Sequence, residues 1–207
     1  MTAAIVLAGG ASTRFGGDKL RATLDGRTLL DHALEAVGSI ANPVVVVIAP
    51  DAPSPPVPAA LANRVTVMRD GVAHRGPLAG LAAGLVALAD LDRGYDGAAV
   101  IVGGDMPHLV PAVLELLAAA VDADAAAGAA TLEVDPPCVL PLAVRPSLAG
   151  PVVDALLRDD RRALRALLDR LAVVVVPATA WRAIDPDGRT LDDVDTPADL
   201  DRAAPGR

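Results

Sequence analysis

The sequence predicts a doubly wound α/β fold, a mostly parallel sheet with helices on both faces. Three observations predict it. Short β-branched runs at residues 3–7, 44–48, 65–68 and 98–102 alternate with longer helix-patterned stretches at 28–37 and 78–91. The runs are almost continuously apolar, as in parallel strands covered on both faces, and do not alternate with polar residues. A length of 207 residues suffices for one well-buried core and is short for two domains.

Taken in order, the first strand runs into a loop dense in glycine, residues 7–19, and a helix follows at 28–37. The Pro/Asp-rich stretch 50–58 reads as a loop, with a weak helix at 58–62 before the third strand. The helix at 78–91 precedes the fourth strand and completes the βαβ rhythm. The second half is less regular. Helical spacing recurs at 111–121 and 161–171, and short strands are expected at 122–127, 139–144 and 172–176. Residues 185–189 read as a loop. Thr196-Pro197-Ala198-Asp199 carries a helix-start signature, with Thr as N-cap and Pro at N1. With no internal repeat and no separating linker, residues 1–207 are expected to form a single domain.

Composition narrows the function. Apolar residues make up 53% of the chain and charged residues 21%, so it should fold. The only aromatic residues are Phe15, Tyr95 and Trp181, too few for the stacking platforms of single-stranded nucleic-acid binders. The net charge of −8 leaves no basic stripe for a phosphodiester backbone. Of 26 acidic residues, all but Glu35, Glu115 and Glu133 are aspartate. The single cysteine, Cys138, excludes an internal disulfide, and both it and His32 are expected to be structural, as a packed thiol and a surface helix residue. No run reaches the 18 or so apolar residues of a membrane span, and the first eleven residues lack a basic leader region, so a cytoplasmic protein is expected.

Three groups of residues suit chemistry. Gly9 and Gly10 follow the first strand directly, where open α/β sheets bind ligands. Without side chains their amides can approach phosphate oxygens, Ser12 and Thr13 add hydroxyls, Arg14 a bidentate fork, and Lys19 a point charge. Lys19 is the sole lysine of the chain, against seventeen arginines. The loop is neither a Walker A loop, since Asp18 separates Gly17 from Lys19, nor a Gly-x-Gly-x-x-Gly fingerprint. Asp105, in Gly103-Gly104-Asp105-Met106-Pro107, should emerge at the same sheet edge, where a carboxylate can hold Mg²⁺; a turn aspartate before Pro107 is the plainer alternative. Asp193 and Asp195 alternate in an extended segment, so at most one faces a site. Asp70 can accept hydrogen bonds from a ribose or base, and Gly76 to Gly80 can permit tight packing. His32, His74 and His108 have no zinc spacing, and no Gly-x-Ser-x-Gly elbow appears.

Together these motifs are similar to the small nucleotidyltransferases that build molybdopterin dinucleotides. Residues 7–19 match that family's signature loop, and Asp70, residues 76–80, Asp105-Met106-Pro107 and residues 195–200 follow in its order. The resemblance implies a Rossmann-like nucleotidyltransferase fold and transfer of GMP from GTP to molybdopterin with release of pyrophosphate. It implies a nucleotide-binding set of Leu7, Ala8, Gly9, Gly10, Ser12, Lys19, Asp70, Gly76 and Asp105. Arg14, Lys19 and Asp105 would be catalytic, with Asp105 holding Mg²⁺ as cofactor. GTP and molybdopterin are the implied substrates, and proteins that make or receive the cofactor the implied partners, with no nucleic acid and no membrane. Two departures keep a cytidylyl branch, or another phosphorylated acceptor, as the alternative. Asp193-Val194-Asp195 stands where guanylyl members carry asparagines, and the asparagine after the second strand is absent, with Asp51 nearest to it.

Overall fold

The computed structural model describes residues 2–9, 21–71 and 76–203. Its main sheet has seven strands in the order β5-β4-β1-β6-β8-β7-β9. These are β1 (Thr2–Ala8), β4 (Ala41–Ile48), β5 (Val65–Arg69), β6 (Ala99–Gly103), β7 (Ala129–Leu132), β8 (Leu142–Val144) and β9 (Val173–Val176). The four valine-rich runs legible in the sequence form the parallel half, β5-β4-β1-β6. Only β8 runs against its neighbours. A small hairpin, β2 (Thr23–Leu24) with β3 (Arg27–Thr28), turns at Asp25-Gly26.

Helices cover both faces, as predicted. On one face α1 (Leu29–Ile40) and α3 (Pro111–Asp122) pack on the even-numbered residues of β1, Ala4, Val6 and Ala8. On the other, α2 (Pro77–Leu91), α4 (Pro146–Arg158) and α5 (Leu164–Leu168) bury Ala3 and Ile5 with Leu78, Leu81, Leu142 and Leu167. The period-two alternation of β1 thus feeds two separate cores from one strand. The fully buried Trp181, in the short α6 (Ala178–Trp181), closes the first core and donates its indole N–H to Glu133 O at 3.1 Å. Far from the carboxyl ends of the strands, the Tyr95 hydroxyl donates to Ala98 O at 2.6 Å and accepts from Ala3 N at 2.7 Å. Burial pushes this phenol up to about 12.

Several sequence expectations are corrected. No strand occupies 122–127: Asp122 ends α3, a turn follows, and the strand begins at Ala129. The expected strand at 139–144 shortens to Leu142–Val144, and the expected helix at 161–171 to Leu164–Leu168. The longer helix there is α4, which carries Pro146 at its start and Pro151 inside. The weak helix at 58–62 is a 3₁₀ turn over Ala59–Leu61. Cys138 is exposed, not packed. His32 is half-buried on α1 and hydrogen-bonds Leu24 O at 2.9 Å, tying the hairpin to the helix. The helix start at Thr196 is present: α7 (Pro197–Ala203) begins there, and Asp199 accepts from the Thr196 hydroxyl at 2.7 Å and from the Thr196 and Asp195 amides. These bonds, the Thr196 hydroxyl first, hold the Asp199 carboxyl below its usual range. Among the described residues no helix is long and apolar enough to cross a membrane.

Candidate active site

The strand order fixes where a ligand can bind. From β1 the chain moves outward to β4 and β5, then crosses back through α2 to β6 on the other side of β1. The crevice of such a reversal lies beyond the carboxyl ends of the two central strands. Here those ends are in register, Leu7 beside Gly103, and Gly104 N donates to Leu7 O at 3.0 Å. On the other flank Asp70 N donates to Ile48 O at 2.8 Å, so the ends of β4 and β5 are stitched in the same way.

A cavity of about 360 Å³ opens at this edge. It gathers Leu7, Gly9, Asp70, Gly76 and Asp105, five of the residues singled out in the sequence, with Val47, Pro77, Gly80, Gly103 and Leu140. Ala8 is not among them: it is 5% exposed and points into the opposite core, because side chains alternate along β1. Gly10, Ser12, Arg14 and Lys19 lie outside the described residues, as does His74.

The cavity floor depends on two glycines. Gly76 precedes α2 with φ +84°, a conformation open essentially to glycine alone. A Cβ there would lie 2.8 Å from Arg162 O and 3.0 Å from Arg162 Cβ. At Gly103 a Cβ would collide with Oδ1 of Asp105, whose carboxylate folds back over the end of β6. Gly76→Ala is therefore expected to destabilise the protein by at least about 2 kcal/mol, read from a denaturant midpoint, and to raise KM for the nucleotide. An alanine variant with the parent's midpoint would overturn this account of the turn.

The first amides of α2 are already engaged. Pro77 has none, Leu78 N donates to Arg162 O at 3.2 Å, and Ala79 N donates to Gly76 O at 3.2 Å. The helix lends the positive end of its dipole to the cavity but no free first-turn donors.

A second cavity, of about 500 Å³, adjoins the first. Asp105, Pro77 and Leu140 belong to both. The far wall comes from Cys138 and Val139, from Arg162 in the turn that enters α5 and Arg165 at the start of that helix, and from Asp193. Of this wall the sequence pattern marked Asp193 alone. Asp193 faces the cavity and Asp195 does not, as their alternation requires. Among the described residues no three His, Cys, Asp or Glu side chains cluster as a metal-binding group.

Two adjoining cavities with one carboxylate on the shared wall suit a reaction that joins two substrates. Comparisons with known proteins agree. Residues 4–176 match the MobA-like NTP transferase domain. The chain belongs to the MobA-like NTP transferase family. A probable molybdenum cofactor guanylyltransferase of Mycobacterium marinum is 32% identical over 96% of this chain and 90% of its own length. One from Mycobacterium avium is 33% identical over 99% of this chain and 96% of its own. The crystal structure of molybdopterin-guanine dinucleotide biosynthesis protein A from Archaeoglobus fulgidus superposes with a TM-score of 0.75 at 26% identity, covering 98% of this chain and 96% of that one.

Proposed function

We propose that the protein is a molybdenum cofactor guanylyltransferase, transferring GMP from GTP to molybdopterin and releasing pyrophosphate. The observation that carries this reading is Asp105 on the wall common to the two cavities. The smaller cavity, lined by Gly9, would take the nucleotide, with Asp70 toward the nucleoside. The larger, with Arg162 and Arg165 on its rim, would take the phosphorylated acceptor.

Mg²⁺ fits the donor set. The ion takes one or two protein carboxylates and completes its shell with phosphate and water, so Asp105 suffices without a three-carboxylate cluster. When bound, it would neutralise phosphate charge that builds up in transfer. The remaining work falls to the chain. The acceptor's phosphate monoester oxygen is already ionised near pH 7 and needs no general base. That oxygen forms a bond to the α-phosphorus as the bond to the β-phosphate oxygen breaks, and the electron pair leaves with pyrophosphate. The protein positions both substrates and offsets charge. Leu7, Ala8, Gly9, Gly10 and Ser12 would carry the nucleotide by backbone and hydroxyl contacts, Gly76 would let α2 approach it, and Arg14 and Lys19 would face its phosphates.

The same reading has residues 1–207 acting as a single cytoplasmic domain. The segment beyond residue 176 supports this, since Val194 N donates to Asp105 O at 3.0 Å and Trp181 completes the sheet's core. The test is pyrophosphate release from GTP, CTP or ATP with purified molybdopterin. Release with GTP alone, and only with acceptor present, is expected. Release with CTP instead would move the protein to the cytidylyl branch, and no release with any nucleotide would end the proposal.

A further inference from the structure

Residues 185–194 contain a buried polar knot that touches neither cavity. Asp185 is 5% exposed, and its two carboxylate oxygens accept separate amides: Arg189 N on Oδ1 at 3.1 Å and Thr190 N on Oδ2 at 2.8 Å. Gly188, at φ +70°, makes the turn between them. Thr190 is fully buried, and its hydroxyl accepts from Val110 N at 2.9 Å, at the cap of α3. Four residues further on, Val194 is 1% exposed against Leu24 and Leu29, and its amide donates to Asp105 O at 3.0 Å. The segments 105–110 and 190–194 are therefore sides of a closed frame, with Val194–Asp105 and Val110–Thr190 as its rungs. The frame holds Asp105 at one corner and Asp193 beside the adjacent one.

A further tie lies at the surface. The Arg189 guanidinium donates to His108 Nδ1 at 2.9 Å, and His108 Nε2 meets Ala203 O at 3.0 Å. Burial, then the Arg189 charge, holds this imidazole below its ordinary pKa, which keeps Nδ1 an acceptor.

A buried carboxylate with no ligand to hold is a costly way to shape a loop, which apolar packing would do at less expense. Polar knots of this kind instead fix one geometry among near-equal ones. We propose that Asp185 and Thr190 are positioning residues that set the Asp193 carboxylate against Asp105 across the acceptor cavity. This rests on the reading of that cavity as the acceptor site.

Thr190→Val keeps the β-branched shape and deletes the acceptor; Thr190→Ser keeps it. Thr190→Val is expected to lower kcat about tenfold, with KM for GTP within about twofold of the parent, because misplacing a group by a fraction of an ångström costs rate more than binding. Thr190→Ser is expected to stay near the parent rate. Hydrogen exchange at the Val194 amide should quicken at least about tenfold in the valine variant only. The decisive arm is epistasis: Thr190→Val added to Asp193→Asn should cost no further rate, since the knot acts through Asp193. Should the valine variant fail to fold, exposed Arg189→Gln offers the same comparison, with an expected loss of about threefold that vanishes in the Asp193→Asn background. Multiplying losses, a parent rate for Thr190→Val or Asp193→Asn, or unchanged exchange at Val194 would each overturn the proposal. If the parent protein released no pyrophosphate at all, the functional reading would fall, while exchange at Val194 would still decide whether the knot holds this loop.

Discussion

Asp105→Asn is expected to lower kcat by about a thousandfold, or about 4 kcal/mol of transition-state stabilisation, with little change in thermal midpoint. The substitution is isosteric, so the close fit of the side chain over Gly103 survives. The Asp105 carbonyl still accepts Val194 N, so the frame joining residues 105–110 to 190–194 also survives. The formal charge is lost, and one acceptor oxygen becomes a donor. On the proposed reading that charge sits between the nucleotide cavity and the acceptor cavity, where divalent-cation binding would have most effect on transfer. The loss should therefore persist at saturating nucleotide and acceptor, and binding of Mn²⁺ as a spectroscopic probe should weaken in parallel. An asparagine variant within tenfold of the parent rate would remove the carboxylate from the reaction.

The half of the fold that carries the nucleotide edge was legible because its strands are buried on both faces. Valine and isoleucine without interruption at residues 44–48, and again at 100–102, leave little choice between strand and helix. Gly9 and Gly103 then mark where β1 and β6 stop. The second half resisted for identifiable reasons. Pro146, Gly150 and Pro151 read as breakers, yet Pro146 occupies the first turn of α4, where no amide is needed, and the remaining helix tolerates Pro151. Strand β7 is alanine-rich, with Thr131 its only β-branched residue, so periodicity could not fix its start. The hairpin at 23–28 did carry a signal, Asp25-Gly26 with positive φ at both, but its two-residue strands are too short to show alternation.

The site divides in the same way. The residues proposed to meet phosphate are glycines and charges close together in the sequence, which is a local pattern. The wall of the larger cavity is assembled from residues 138–140, 162–165 and 193, brought together by the reversed β8 and the turn into α5. Asp185 and Thr190 leave no mark either, since one aspartate and one threonine in a loop look like any solvated turn. Their burial is a tertiary fact.

Lys19→Arg is expected to cost about a hundredfold in kcat while leaving the net charge untouched. Joining a phosphate monoester to a triphosphate brings several negative charges together in a chain of net charge −8. The first-turn amides of α2 are engaged by Arg162 O and Gly76 O, so they cannot cradle the incoming phosphates. Among the described residues, Arg162 and Arg165 line only the acceptor cavity. On the proposed reading, the glycine loop, whose cations are Arg14 and Lys19, shares with Mg²⁺ the work of offsetting charge on the nucleotide's phosphates. A guanidinium is a broad planar fork suited to two oxygens at once; an ammonium is a compact point charge that can follow one oxygen as the bond to pyrophosphate lengthens. If Lys19 serves that oxygen, arginine is too wide for the role, and the loss should fall on kcat with KM for GTP nearly unchanged. Lys19→Gln, which removes the charge altogether, should be slower still. Arginine at the parent rate, with glutamine slow, would show that the loop supplies charge alone and that the shape of the ammonium carries no part of the catalysis.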